Sequence, residues 1–514
     1  MDDWVAREVG EAGEGNEAID GASPREVELK LELEPGSDGA LLDHPLIRDR
    51  IGEPRQALST YYDTRKHRLR KAGVSLRVRK TGDSFVQTVK SDGKALPGLY
   101  DRSEWEETIA GPEPELDRIA PVPPPLHRRA VRNQLRPVFS TEIDRRACIV
   151  DRHDAKIEVV LDRGEVVVGK RRQPLLELEL ELIEGPPAAL FEVARELRTS
   201  VPLRLGVLTK SERGERLASG KGAKAMKAEP IRLDAGMTCA QAFQTIAFAC
   251  VRHFRVNEPL IIGAHDVDAL HQGRVALRRL RSAFSLFRPL LHDSGLNRFK
   301  DEIRTLATTL GEARNLDVLL RRRSEDLSRK SRKSLVEERA LAYAKAIDAL
   351  RSTEVQSMMI DFAEWIALCS FAGNSRWGDQ PIGPFSAEVL NRFWKRAKRD
   401  GRHMRKLDDE ERHELRIAGK KLRYAIEFFS TLYCDEALVP VRDAFLDEMT
   451  RVQEHLGALN DLRTERAMEM ALRERGILLP PRMKPETLEA EIDMHIAAAD
   501  ACFERLIDIG PYWR

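Results

Sequence analysis

The first part of the chain alternates polar and apolar residues with a period of two. The alternation covers about residues 25–210 and is clearest at 26–32, 75–79 and 177–182. Because successive side chains of a strand point to opposite faces of a sheet, this pattern predicts strands with one apolar and one charged face. Prolines at 121–125 interrupt the alternation and predict a turn or a crossover.

The later part of the chain has a helical apolar period. A segment rich in Gly, Ala and Lys at 214–230 separates the two parts, and its lack of any apolar period predicts a flexible linker. A Gly- and Pro-rich run at 373–384 divides the helical part in two. Each half is long enough for about four helices.

The helical part also contains an internal repeat. Residues 271–287, which begin His-Gln-Gly-Arg-Val-Ala-Leu-Arg-Arg-Leu-Arg, match residues 413–429, which begin His-Glu-Leu-Arg-Ile-Ala-Gly-Lys-Lys-Leu-Arg. A Leu-Gly turn follows each copy, at Leu310 and at Leu456. A duplication of this kind predicts two similar bundles.

The bulk composition sets the class of protein. At 514 residues the chain predicts two or more domains, and a charged fraction of 33% beside a hydrophobic fraction of 42% is typical of a globular protein with a polar surface. The six cysteines form no CxxC pair, which argues for a reducing compartment and against structural zinc. The N-terminal residues lack an apolar signal segment, and no apolar run is long enough to span a bilayer. We therefore expect a cytoplasmic protein without membrane contact.

The charged strand faces carry the first candidate chemistry. A solvated face is the ordinary explanation for any one such strand. If several of them line a closed barrel, however, carboxylates and cations share one lumen, which is costly unless the charges are paired or bind ions. The pairs Glu26/Glu28 and Glu177/Glu179 each place two carboxylates on one strand face about 7 Å apart. Such hard oxygen ligands suit Mg²⁺ or Mn²⁺.

Cations on the same strands suit a phosphate chain. Arg77 and Arg79 can bind phosphate oxygens through paired hydrogen bonds, and Lys30, Lys90 and Lys210 add point charges. A metal-polarised water could then attack the terminal phosphoryl group. These strands therefore predict a metal-dependent site for a short phosphate polymer.

At these residues the chain resembles the CYTH family, also called the triphosphate tunnel metalloenzymes. The family's Glu-x-Glu-x-Lys motif stands at 26–30, and the likeness extends over about residues 24–216 through Tyr62-Asp-Thr, Leu76-Arg-Val-Arg, Arg102-Ser-Glu-Trp-Glu, Asp162-Arg-Gly and Glu177-Leu-Glu. The resemblance implies an eight-stranded antiparallel tunnel in which Glu26, Glu28 and Lys30 are catalytic. It implies metal ligands at Glu26, Glu28, Asp162, Glu177 and Glu179, and we expect Glu104 and Glu106 to join them. It implies triphosphate-binding cations at Lys30, Arg77, Arg79, Lys90, Arg145 and Lys210, and we expect Arg102 to join them.

The repeated helices carry the second candidate chemistry. On a helical wheel, His271, Arg274, Arg278 and Arg281 fall within roughly 80° of one another, opposite an apolar face. The second copy repeats the stripe with His413, Arg416, Lys420 and Arg423. A solvated basic face would explain one such helix, but like charges at this spacing repel, and their repetition favours a polyanionic ligand. These segments resemble the CHAD domain, the conserved-histidine α-helical domain, over about residues 235–510. That resemblance implies paired four-helix bundles whose basic groove binds inorganic polyphosphate through these eight residues.

Nucleic acid is the main rival ligand for the basic stripes. Aromatic residues make up only 6% of the chain, and the stripes lack the Asn, Gln and aromatic residues that read or stack on bases. We therefore expect no sequence-specific nucleic acid binding. The expected partners are inorganic triphosphate and polyphosphate, together with polyphosphate granules.

The sequence thus predicts an α+β multidomain protein with an N-terminal eight-stranded antiparallel β tunnel, flanking helices and a C-terminal all-α pair of four-helix bundles. The expected divisions are a disordered tail at 1–23, the tunnel at 24–216, a linker at 217–234 and the helical domain at 235–510, with repeats at about 235–372 and 385–510. The favoured function is a triphosphatase that uses Mg²⁺ or Mn²⁺ to convert triphosphate to diphosphate and phosphate. Non-catalytic polyphosphate binding or targeting, and thiamine-triphosphatase or adenylate cyclase activity, remain the alternatives.

Overall fold

The computed structural model describes residues 25–91, 94–95, 98–118, 123–220, 222, 224–291, 294–323, 325, 327–372, 375–480 and 484–513. The tail predicted at 1–23 lies outside these residues. Ten strands form one antiparallel sheet: β1 (Arg25–Leu33), β2 (Arg55–Asp63), β3 (Val74–Thr81), β4 (Ser84–Ser91), β5 (Lys94–Ala95), β6 (Leu99–Ile109), β7 (Arg136–Arg152), β8 (Ala155–Val168), β9 (Arg171–Glu184) and β10 (Leu203–Leu205).

Eight of these strands close into a tunnel. The sheet runs β1-β9-β8-β7-β2-β3-β4-β6, and a further pairing of β1 with β6 joins its ends. Closure follows from β1 pairing on both edges: Glu26 lies opposite Arg102 of β6, while Lys30 lies opposite Glu179 of β9. Because alternate side chains share a face, closure turns one face of each of the eight strands toward one lumen, and most of these faces carry charged residues. The short β10 and β5 extend β1 and β6.

The apolar faces of the strands pack outward under helices. Leu29 and Leu31 of β1 are fully buried in the main hydrophobic core, together with Leu178 and Leu180 of β9. Three short helices and two longer ones accompany the sheet: α1 (Asp38–Leu42), α2 (Arg68–Lys71), α3 (Arg129–Arg132), α4 (Ala188–Leu197) and α5 (Lys210–Ala218). Helix α4 covers the core, and α5 lies against β7, β8 and β9.

The rest of the chain is helical, as predicted. Its helices are α6 (Cys239–Ala264), α7 (Val267–Leu286), α8 (Ser294–Arg322), α9 (Arg329–Arg351), α10 (Thr353–Ala367), α11 (Ile382–Gly401), α12 (Asp409–Phe429), α13 (Val439–Glu474) and α14 (Pro485–Ile509). Helices α6 to α9 form the first bundle and α11 to α14 the second, and α7 contacts α12 where the bundles meet. The predicted fold class is therefore confirmed. Helix α10 is an addition to the first repeat, and it also contacts α4 and β10 of the tunnel domain.

The segment between the domains is held in place at several points. Helix α5 extends to Ala218, so the first part of the glycine-rich segment is helical. Farther along, the Met226 backbone N–H donates to Asn257 Oδ1 of α6 at 2.8 Å, and Ile231 and Leu233 are buried in the core. The expectation of a flexible linker therefore misses these contacts, because a few isolated apolar residues were enough to fix the segment. None of the helices in the described part of the chain is long and apolar enough to cross a bilayer.

Candidate active site and basic groove

The tunnel lumen brings together the predicted charged residues from distant parts of the chain. The side chains of Glu26, Glu28, Lys30, Arg77, Arg79, Lys90, Arg102, Glu104, Glu106, Arg145, Asp162, Glu177, Glu179 and Lys210 all take part in its ion pairs. Each ion pair joins residues from two different elements or from one strand face. Because each of these buried charges has a partner of opposite charge, the cost of removing them from water is reduced.

Glu26 is the centre of one group of charges. Lys90 Nζ lies 2.7 Å from both of its carboxylate oxygens, and Arg102 Nε donates to it at 3.0 Å. Burial opposes ionisation of this carboxyl, but Lys90 and Arg102 outweigh burial and lower the pKa of Glu26 to about 2. Arg102 also donates to Glu28 at 2.5 Å, and Lys90 lies 3.1 Å from Glu104.

Lys210 is the centre of a second group. Its Nζ lies 2.8 Å from Asp162, 3.0 Å from Glu177 and 2.7 Å from Glu179. Arg145 adds a two-pronged contact to Asp162, at 2.8 and 2.6 Å. Asp162 is fully buried, which disfavours its charged form, yet Lys210 and Arg145 keep its pKa below the usual value. Burial likewise opposes the charge of Lys210, and the three carboxylates raise its pKa well above the usual value.

A third group is rich in arginine. Arg77 and Arg79 share Glu106, with nitrogen-to-oxygen distances of 3.6 and 3.4 Å. Burial and the nearby Arg77 and Arg145 guanidinium groups lower the pKa of Arg79, so its charge is incompletely compensated. The Arg77 Nε is buried without a hydrogen-bond partner. This part of the lumen is therefore suited to a multiply charged anion.

Local backbone features place these side chains. Lys210 is the first residue of α5, and its helix begins with a capping box in which Thr209 and Glu212 exchange hydrogen bonds. Gly164 allows β8 to approach β7, because a Cβ there would lie 2.0 Å from the Glu142 carbonyl oxygen. Asp63 of the Tyr-Asp-Thr motif has a structural role, since its carboxylate accepts backbone N–H groups from Thr64 and from Leu69 and Arg70 of α2.

The carboxylates of the lumen have the chemistry that a hard divalent cation requires. With each carboxylate directed to a Lys or Arg, no three His, Cys, Asp or Glu side chains in the described ranges are arranged around a common metal position. However, the nearby cations do not fully offset the cost of ionising Glu104 and Glu181. Burial is the largest cause that raises the pKa of each to about 7, and Glu26 repels both. A bound divalent cation would favour the ionised form of these carboxyl groups and offset that repulsion.

Three residues that lie near these charged groups were not predicted as site residues from the sequence: Glu181, Arg213 and Glu32. Glu181 continues the Glu-x-Glu alternation of β9 and could have been found by extending that pattern by two residues. Arg213 of α5 donates to Glu177 at 2.9 Å and also contacts Glu32. Arg213 lies in a segment without strand alternation, so no pattern linked it to the lumen.

The two helical bundles form a separate basic groove of about 1350 Å³. Its lining includes seven of the eight predicted residues: His271, Arg274, Arg278, Arg281, His413, Arg416 and Lys420. Arg423, the eighth, does not line the groove, and its guanidinium lies 5.0 Å from the centre of the Tyr424 ring. Further cations come from α8, α11, α12 and α13 and from the segment after α7, namely Arg288, Lys300, Arg314, Arg321, Arg322, Arg392, Arg396, Lys421 and Arg463.

In the described part of the chain, Arg274 and Lys420 of the groove lack the carboxylate contacts that the tunnel cations have, although Arg322 and Arg463 are paired with carboxylates. Burial, followed by the neighbouring Arg278, Arg416 and Arg423, lowers the pKa of Lys420 to about 7. Burial, with Arg278 and Arg314, lowers the pKa of Arg274 to about 10. In the tunnel, by contrast, nearby carboxylates raise the pKa of Lys30 and Lys210 despite burial. The lining of the groove thus has an excess of positive over negative charge.

The two repeats differ at their histidines. His413 Nδ1 lies 2.7 Å from the Asn460 side-chain oxygen, which fixes the orientation of the ring. In the first repeat, burial and the nearby Arg314 lower the pKa of His271 to about 4. The two histidines therefore have different neighbours, an arginine near His271 and a neutral amide at His413.

Comparisons with known proteins agree with this division. Residues 24–214 match the CYTH domain model and residues 245–468 match the CHAD domain model. An inorganic triphosphatase from Haemophilus influenzae is 31% identical over 198 residues, which are 38% of this chain and 55% of the relative. The aligned part thus spans about half the length of that curated relative.

Two solved structures are similar to parts of the chain. The CHAD domain from the plant Ricinus communis is 29% identical and covers 55% of this chain and 97% of its own, with a TM-score of 0.46. A putative adenylyl cyclase from Hippeastrum, described as having a dominant triphosphatase activity, is 19% identical. It covers 38% of this chain and 96% of its own, with a TM-score of 0.31.

Proposed function

The chain carries a CYTH domain followed by a CHAD domain, and we propose that it is a metal-dependent inorganic triphosphatase with an attached polyphosphate-binding module. The observation that carries the catalytic proposal is the enclosed lumen, in which an arginine-rich group and two carboxylate-rich groups face one another. Such an arrangement suits a short, highly charged phosphate chain together with a divalent cation. The 31% identity to an inorganic triphosphatase supports the same substrate class.

In this proposal, Glu26, Glu28, Glu104 and Glu106 on one side and Asp162, Glu177 and Glu179 on the other are the residues that would hold Mg²⁺ or Mn²⁺. The ion, when bound, supplies charge neutralisation for the phosphate oxygens and lowers the pKa of a coordinated water. Oxygen-only donors of this kind are the ligands that both ions prefer.

The residues of the chain itself bind and orient the substrate. Arg77, Arg79 and Arg145 can hold phosphate oxygens in forked geometry, and Lys30, Lys90, Arg102 and Lys210 add charge along the chain. The closed wall of the tunnel limits competing water, which strengthens these interactions. Water attacks the terminal phosphorus, the bridging P–O bond breaks, and diphosphate and phosphate leave. The proton released by the attacking water passes to a lumen carboxylate or to solvent.

In the helical part, we propose that the groove binds inorganic polyphosphate along its length. The supporting observation is the excess of cations from six chain segments, together with lowered pKa values at Arg274, Lys420 and Lys421. A bound polyanion would offset the electrostatic repulsion among these cations. The groove and the tunnel are therefore proposed to act on phosphate polymers in the cytoplasm.

The catalytic proposal is tested by phosphate release from tripolyphosphate with Mg²⁺ or Mn²⁺. We expect metal-dependent release by the wild type and its loss in a Glu26→Ala/Glu28→Ala variant. Arg279→Gln, a change in the helical domain, is the control for general damage. Absence of release above the Glu26→Ala/Glu28→Ala variant would reject catalysis. Release from thiamine triphosphate or ATP in preference to tripolyphosphate would instead favour the alternative activities.

A further inference from the structure

The first long helix of the CHAD domain reaches the wall of the tunnel. Arg255 of α6 is only 4% exposed, and its Nε donates to the Leu205 carbonyl oxygen of β10 at 2.9 Å. Its second terminal nitrogen lies 3.4 Å from Glu32 of β1, and its first contacts Glu258 on its own helix. A buried cation of one domain thus touches a strand that carries the proposed metal ligands of the other.

Glu32 needs this positive charge because of its position in the sheet. In the register of β1 and β9 it lies directly opposite Glu177. Like charges opposite one another destabilise a strand pair. Arg213 bridges the two, donating to Glu177 at 2.9 Å and contacting Glu32 with its other nitrogen. One guanidinium therefore serves two carboxylates, and Arg255 supplies the second positive charge.

Arg213 belongs to a helix that is closely seated on the tunnel. A Cβ at Gly214 would lie 2.1 Å from the Phe139 ring, so α5 approaches β7 as closely as a glycine permits. Lys210, at the start of the same helix, contacts Asp162, Glu177 and Glu179. A second α6 cation, Arg252, donates to Glu212 of α5 at 2.5 Å. Helix α6 therefore holds both β1 and α5.

We propose that Arg255 is a positioning residue for the tunnel, which acts through Glu32 and Arg213 on the carboxylate of Glu177. The inference rests on the proposed metal-dependent function of the tunnel and deepens it, because it makes the CHAD domain part of the support of that site. Without Arg255, partly exposed Glu32 loses one of its two cationic partners and draws Arg213, the remaining one, away from Glu177. Loss of an outer partner of this kind typically weakens metal binding or activity about 10- to 100-fold.

The test compares three full-length variants with the wild type. Arg255→Gln removes the charge, and Arg255→Gln/Glu32→Gln removes the charge that it compensates as well. Arg279→Gln is the matched control. Arg279 of α7 is also a buried arginine, only 1% exposed, but it pairs with Glu427 of α12 at 2.8 Å and not with a residue of the tunnel. Mn²⁺ binding is measured by calorimetry without triphosphate, and amide hydrogen exchange of α5 is measured in the metal-free protein.

We expect Arg255→Gln to weaken Mn²⁺ binding about tenfold, because the carboxylate of Glu177 is held less firmly. Amide exchange in α5 should become faster, because Arg213 of that helix loses its contact with Glu177. The double variant should recover most of the affinity, and Arg279→Gln should match the wild type in both measurements. Unchanged Mn²⁺ binding in Arg255→Gln, an equal loss in Arg279→Gln, or no recovery in the double variant would overturn the proposal. A wild type that binds Mn²⁺ in an Arg255-dependent manner yet releases no phosphate would reject hydrolysis and leave the positioning role intact.

Discussion

Lys420 offers a quantitative test of the basic groove. Its ammonium group is half-buried, and burial together with Arg278, Arg416 and Arg423 lowers its pKa to about 7. Near neutral pH it is therefore partly deprotonated in the free protein. A bound polyanion would offset the repulsion from the three arginines and return the pKa toward its usual value.

The size of the effect follows from proton linkage. A group with a pKa of about 7 in the free protein that is fully protonated in the complex takes up about half a proton on binding at pH 7 and about 0.9 at pH 8. Because the free protein must gain that proton, affinity falls as pH rises above the pKa of the free group. From pH 7 to pH 9 the loss attributable to Lys420 is at most roughly 50-fold. Terminal phosphates gain charge over this range, which acts in the opposite direction.

The assay is calorimetric titration with long-chain polyphosphate in buffers of different ionisation enthalpy, which reports the protons taken up directly. Lys420→Arg is the matched variant, since it keeps the positive charge and removes titration near pH 7. We expect the wild type to take up close to one proton at pH 8 and Lys420→Arg to take up markedly less. Tight binding by the wild type without proton uptake at pH 8, or equal uptake by Lys420→Arg, would refute the assignment.

Three further predictions concern the groove and the fold. Substituting Ala for the groove cations Arg274, Arg278, Arg416 and Lys420 together should abolish retention on a polyphosphate matrix while phosphate release from tripolyphosphate continues; unchanged retention would contradict the groove assignment. Gly214→Ala should destabilise the protein by about 1–3 kcal/mol in thermal or denaturant unfolding, because the added methyl group meets the Phe139 ring. Asp63→Ala should cost about 2–4 kcal/mol, since three backbone N–H groups lose their acceptor; an unfolding midpoint equal to that of the wild type would contradict either prediction.

The sequence predicted which face of each tunnel strand is charged better than it predicted which residues of neighbouring strands lie opposite one another. A period of two determines that Glu26, Glu28 and Lys30 share a face, whatever strand lies beside them. The register that sets Glu32 opposite Glu177 depends on the closure of the whole sheet, which local alternation does not encode. Arg213 was not predicted either, because it reaches the lumen from helix α5 and not from a strand.

The groove shows the same division between local and long-range information. The stripes on α7 and α12 follow from helical spacing, so seven of the eight predicted residues line the groove. Arg314 and Arg463 lie on α8 and α13, and only the packing of those helices brings them to the same cleft. Arg423 shares the spacing of Arg281 in the other repeat, but it lies beside the Tyr424 ring instead. Repetition in sequence therefore did not guarantee an equivalent position.

The contrast in charge compensation implies different modes of binding at the two sites. In the tunnel, Lys30 and Lys210 already contact carboxylates, so an incoming phosphate chain must exchange partners with existing ion pairs. A divalent cation that enters with the phosphate chain gives the displaced carboxylates a new partner, which makes joint binding more favourable than binding of either alone. In the groove, the cations have few carboxylates to displace, and binding a polyanion mainly relieves their mutual repulsion. Groove binding should therefore depend strongly on salt and little on divalent metal, whereas tunnel binding should depend on the metal.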